Sequence, residues 1–173
     1  MCYRVLLSTS TADDLSARST DLVRFEKKYL DDEIASTLGY DHRWYVGSKS
    51  GCSCTFRRAT TAQLGFGRPV DWYPENDDEL EATAAFIAVV RRVLESGHSI
   101  DCIDAWEGAG VSGILQMEVD LNALADGEFR FFENYHFTFV RRVRDKQPGA
   151  MPPSWSPGSR GFSPGSPGMA AGP

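Results

Sequence analysis

Residues 76–106 read NDDELEATAAFIAVVRRVLESGHSIDCIDAW, and this stretch decides the fold class. Leu80, Ala84, Ile87, Val90, Arg91 and Leu94 recur at helical spacing, so a helix is predicted from Asn76 or Asp77 to just before Gly97. Asn76 with Glu79 three residues on has the form of a capping box. The acids Asp77, Asp78, Glu79 and Glu81 suit the positive end of the helix dipole, and Arg91 and Arg92 suit the other end, so the acidic run has a structural explanation. After Gly97 the period changes to two: Ile100, Cys102 and Asp104 alternate with Asp101, Ile103 and Ala105, which reads as a strand.

Working outward, the remaining segments read mostly as strands. Cys2 to Ser8 is a short apolar run, followed by a polar turn at Ser10–Asp14. Leu22 to Tyr29 alternates with one polar face, and Ile114–Leu121 and the aromatic-rich Phe129–Val140 follow the helix. His42–Val46 and Cys52–Arg57 flank Gly47-Ser48-Lys49-Ser50-Gly51, the pattern of a hairpin with glycines in the turn. One long helix among hairpin-like spacings predicts an α+β fold: an antiparallel or mixed sheet of about six to seven strands with the helix packed on one face.

The chain has 173 residues, a net charge of -6 and ordinary globular usage, with 42% hydrophobic residues. A single domain is expected over residues 1–146. Residues 147–173 hold seven of the nine prolines and almost no aliphatic side chains, the composition of a disordered Pro/Gly/Ser-rich tail. Its Ser-Pro-Gly steps, at 156–158, 163–165 and 166–168, have the look of a partner ligand, but no PxxP register stands out and an inert tail is expected. The tail carries one charge, Arg160, which leaves -7 on the rest. That balance argues against nucleic acid, whose binding needs a basic face. Arg141, Arg142, Arg144 and Lys146 form a short basic cluster, read as a solvated boundary. The first apolar run is too short for a signal peptide and no window reaches membrane-helix length, so a cytoplasmic protein with reduced cysteines is expected.

There is no Walker loop, GxGxxG, G-x-S-x-G or HExxH. Gly47–Gly51 superficially resembles a phosphate loop, but its lysine does not follow the second glycine. Of the remaining features, Cys52 and Cys54 carry the most chemistry. On a strand, residues two apart share a face, so both sulfurs would project together, suited to a soft cation such as zinc or copper. A closed zinc site takes four ligands, and Cys2, Cys102, His42, His98 and His136 are the candidates for the others. The competing reading is that these cysteines are small apolar residues of buried strands.

Cys2 follows the initiator methionine, and removal of Met1 would leave its amine as an internal base for a cysteine nucleophile. This Met1-Cys2 opening resembles the N-terminal-nucleophile amidohydrolases and the domains that crosslink abasic DNA through such a cysteine; the resemblance implies a catalytic Cys2 and covers those two residues. His42 beside Asp41, and His98 with Asp101 or Asp104, are possible oriented bases, whereas His136, between aromatic residues, reads as a half-exposed strand residue. No triad assembles from these residues. Trp44, Tyr45, Trp72, Tyr73 and Trp106, with Arg43, Arg57, Arg58 and Arg68, have the composition of a binding surface. The expectation is therefore a small protein- or ligand-binding module. Its alternatives are a thiol-based metal-binding or redox protein using Cys52 and Cys54, and a hydrolase using Cys2.

Overall fold

The computed structural model describes residues 2–30, 33–125 and 127–142. Eight strands form: β1 Tyr3–Thr9, β2 Val23–Glu26, β3 His42–Ser48, β4 Arg58–Ala59, β5 Ile100–Trp106, β6 Leu115–Asp120, β7 Phe131–Phe132 and β8 Tyr135–Val140. Six of them make one sheet in the order β2-β3-β1-β5-β8-β6, and β4 and β7 pair separately. The sheet is mixed, antiparallel throughout except for the parallel β6–β8 edge. The fold is thus α+β, and the six strands of the main sheet fall within the expected range. The segment expected to form a tail, residues 147–173, lies outside the described residues.

The long helix, α2, spans Asp77–Glu95, with the Glu79 carboxylate accepting from the Asn76 backbone N–H at 3.3 Å. Its buried stripe is turned from the expected one: Ala82, Thr83, Phe86, Ile87, Val89, Val90 and Val93 face the sheet, while Leu80, Ala84 and Leu94 lie at its margins. Phe86, Val90 and Val93 pack with Leu7, Trp44, Val46, Cys102, Phe137 and Phe139 in one core. Burying a side chain of the size of Phe86 contributes roughly 1.5–3 kcal/mol. The opposite face of the sheet, with Leu6, Tyr45, Ile103 and Ala105, is covered by Ile34 and Ala35 of the short helix α1, Glu33–Ser36, and by Leu38.

Two strand expectations need correction. The Leu22–Tyr29 run pairs only over Val23–Glu26, and Tyr29 adopts a positive φ of 59°. Cys52–Arg57 does not return as the second arm of a hairpin, because both edges of β3 are already taken, by β1 and by β2. The segment instead curls into a 3-10 turn over Ser53–Thr55. At the start of this turn the chain doubles back so tightly that a Cβ on Gly47 would meet the Gly51 carbonyl oxygen at 2.7 Å, which fixes glycine there.

Candidate metal centre

The turn that carries Cys52 and Cys54 is fastened to the sheet by Ser53. Its buried hydroxyl accepts from the Val5 N–H at 3.0 Å and donates to the Val46 carbonyl at 2.6 Å, standing between β1 and β3 as a bridge in their ladder. The Tyr45 hydroxyl accepts from the Ser53 N–H at 3.1 Å, the Ser48 hydroxyl donates to the Cys52 carbonyl at 2.7 Å, and Arg58 donates to the Ser53 carbonyl at 3.3 Å. Ser53 points inward, and the residues on either side of it meet over the turn. Cys52 caps the turn, its sulfur accepting the Cys54 N–H at 3.2 Å, and the two sulfurs lie 2.7 Å apart.

Cys2 reaches the same place from the other end of the sequence. It precedes β1, and its carbonyl accepts from the Glu107 N–H at 2.9 Å, which ties the start of β1 to the end of β5. The sulfurs of Cys2, Cys52 and Cys54 all lie within 4.8 Å of one another, with Cys2 exposed and the other two half-buried. Burial pushes the Cys54 thiol up, the neighbouring Cys52 sulfur adds to this, and hydrogen bonds from the Tyr3 N–H and the Cys2 thiol pull the other way.

Beneath the cluster runs a buried polar frame. Arg58 donates twice to Asp104, from Nε and Nη2, at 2.7 Å each, and its guanidinium stacks 3.7 Å from the centroid of the Tyr3 ring. Burial works against the Arg58 charge, but Asp104 outweighs it and raises the Arg58 pKa, with a smaller contribution from Cys54. The Tyr3 hydroxyl donates to Glu133 at 3.1 Å, and Trp106 Nε1 donates to the other oxygen of the same carboxylate. Burial and then this Glu133 contact push the Tyr3 pKa up to about 12. A cavity of about 290 Å³ opens beside the cluster, lined by Tyr3, Cys54, Arg58, Tyr73 and Glu79 among others.

No family model, curated protein or solved structure matches this chain. The geometry therefore carries the functional argument.

The other expected site residues lie elsewhere. Cys102, a candidate fourth ligand, stands outside the cluster: it is fully buried in the α2-side core, paired across the sheet with Leu7 and Phe137. Burial raises its thiol pKa well above the ordinary value, with Asp101 and Asp104 adding to the shift. His136 is buried rather than half-exposed, with Nε2 2.7 Å from Asp101. The same carboxylate accepts from the Ser8 hydroxyl and, at 2.8 Å, from the Gly39 N–H, so the aspartate stands between serine and histidine. That order ties the segment after α1 to the sheet and does not make a histidine base for the serine. Asp101 and Asp104, the expected partners of His98, are thus engaged by other groups. His42 lines a separate cavity of about 550 Å³ with Trp44 and Lys27.

The residues of the expected aromatic and arginine binding surface divide: three are interior, Arg43, Arg58, Tyr73 and Trp106 are half-buried, and Arg68 and Trp72 are exposed. Trp44 and Tyr45 are buried, and Arg57 is fully buried with two hydrogen bonds of 2.7 Å to Glu75. Trp72, by contrast, is 74% exposed. Of the basic cluster, Arg141 pairs with Glu95 and Arg142 with Glu118, and Arg144 and Lys146 lie outside the described residues. Among the described residues no helix is long and apolar enough to cross a membrane.

Proposed function

We propose that this protein is a thiolate metal-binding protein in which Cys2, Cys52 and Cys54 together hold one zinc or copper(I) ion. The observation that carries this reading is the convergence of three sulfurs, from sequence positions 2, 52 and 54, to within 4.8 Å of one another. Thiolates favour soft and borderline-soft cations of this kind. With Zn–S bonds of about 2.3 Å, tetrahedral sulfurs stand about 3.8 Å apart, so the three need only small side-chain rotations. The turn itself is already held by Ser53, Tyr45, Ser48 and Arg58, so little backbone ordering is left for the ion to impose. Three thiolates suit a three-coordinate copper(I) ion. For zinc they leave a position to be filled by water or by a small molecule from the adjoining cavity.

The test is metal content. Protein purified without chelator, or reconstituted under reducing conditions and desalted, should hold one equivalent of zinc or copper by elemental analysis. The Cys52→Ser/Cys54→Ser protein should hold none. Wild-type protein that retains no metal after reconstitution would rule the proposal out.

A further inference from the structure

We infer that Cys52 and Cys54 form a reversible disulfide in exchange with a low-molecular-weight disulfide, and that this bond and the bound metal exclude one another. The inference rests on the metal-binding reading for its second half and stands on the cysteine pair for its first. The two sulfurs, 2.7 Å apart, lie between two bonded states. A disulfide requires about 2.05 Å, a closure of about 0.7 Å, whereas two thiolates on one tetrahedral zinc require an opening of about 1 Å. One short turn, fixed at Ser53, therefore serves either state through rotation of two side chains. It cannot serve both, because a sulfur bonded to sulfur no longer supplies the thiolate that the metal requires.

Cys54 is the cysteine that borders the 290 Å³ cavity, and so it is the entry point for a small disulfide RSSR. Its thiolate attacks one sulfur of RSSR, forming a mixed disulfide and expelling RS⁻. The Cys52 thiolate then attacks the Cys54 sulfur, forming the Cys52–Cys54 bond and expelling the second RS⁻. The two cysteines lose two electrons and RSSR gains them; from the metal-free pair the two cysteine protons leave on the released thiols, whereas the metal-bound pair is already deprotonated, so the ion departs as a divalent cation and the two RS⁻ take their protons from solvent or bind that cation. Cys2 is left as a single ligand, which does not hold the ion against dilution.

The test uses the full chain, loaded with zinc because zinc is redox-inert, and oxidised glutathione as the disulfide. Zinc is followed with a chromogenic chelator and the protein by intact mass and peptide mapping. Expected are release of one zinc per chain, a mass lower by two hydrogens, a crosslink between Cys52 and Cys54, and an alkylatable Cys2. Retained zinc at full oxidation, a crosslink to Cys2 in place of the pair, or release accompanied only by glutathione adducts would each overturn the inference. Cys2→Ser separates the two readings: it should still form the Cys52–Cys54 bond, whether or not wild type binds zinc. In Cys2→Ser/Cys52→Ser the glutathione adduct should remain on Cys54, and its absence there would refute the proposed order of attack.

Discussion

Replacing Ser53 by alanine removes a single oxygen from the point where the turn joins the sheet. That oxygen is fully buried and satisfies two backbone groups, the Val5 N–H at 3.0 Å and the Val46 carbonyl at 2.6 Å. With it gone, each group loses its partner inside the protein, and an unsatisfied buried backbone group costs about 1–3 kcal/mol. The expected loss is about 2–6 kcal/mol in all. It should be measured by urea unfolding of the reduced, metal-free protein, so that metal linkage does not contribute, with an unchanged m-value showing that the change lies in stability. The same substitution releases the turn that sets Cys52 beside Cys54. Zinc affinity, measured against a competing chelator, should therefore fall at least about tenfold, or ~1.4 kcal/mol. A stability loss below about 0.5 kcal/mol would refute the reasoning, since β1 and β3 would then close their ladder without the hydroxyl.

Asp104→Ala strands the Arg58 guanidinium beside a vacated, fully buried position, and one half of a buried ion pair left alone costs about 3–5 kcal/mol; chemical denaturation that shows a loss under 1 kcal/mol would mean that Arg58 finds water or another acid. Metal affinity should fall as pH falls, because the ion binds thiolates and burial and the Cys52 sulfur hold the Cys54 thiol pKa above its ordinary value, so protons compete at neutral pH; chelator competition from pH 8 to pH 6 that gives a flat profile would count against thiolate ligation. Cys102→Ala should leave metal stoichiometry unchanged and lower stability by roughly 1–2 kcal/mol for the packing lost, and loss of metal on that change would put Cys102 in the site. Truncation after Lys146 should preserve both the circular dichroism spectrum and metal content, and loss of either would make residues 147–173 part of the functional unit.

The helix was legible because its sequence says the same thing three ways, through period, capping and charge. Its rotation was not. Leu80, Ala84 and Leu94 fit a helical stripe as well as Thr83, Phe86 and Val93 do, and only the position of the sheet selects between them. The Cys-x-Cys spacing led to two sulfurs side by side, but by another route than a shared strand face: they meet across a 3-10 turn, which forms because β1 and β2 occupy the edges that a hairpin arm would have used. The alternation of β5 already grouped Cys102 with Ile100, a core residue, and that grouping, rather than cysteine chemistry, describes where it lies. Arg58 and Asp104 are 46 residues apart, and no local pattern announces that they are partners.

The chain's first strand lies inside the sheet, between β3 and β5. Its ladder with β5 pairs Tyr3 with Trp106, so that edge of β1 stays open until synthesis has passed Trp106. Pairings of such long sequence separation close later and more slowly than local ones, because the loop entropy is lost before the contact forms. Closure of β1 on β3 spans the shorter loop, Val5 to Val46, and carries the lower entropic cost. That closure also brings Cys2 near Cys52 and Cys54, and the Glu107 N–H at the end of β5 then fixes it there, so the cluster is completed only as β5 joins the sheet.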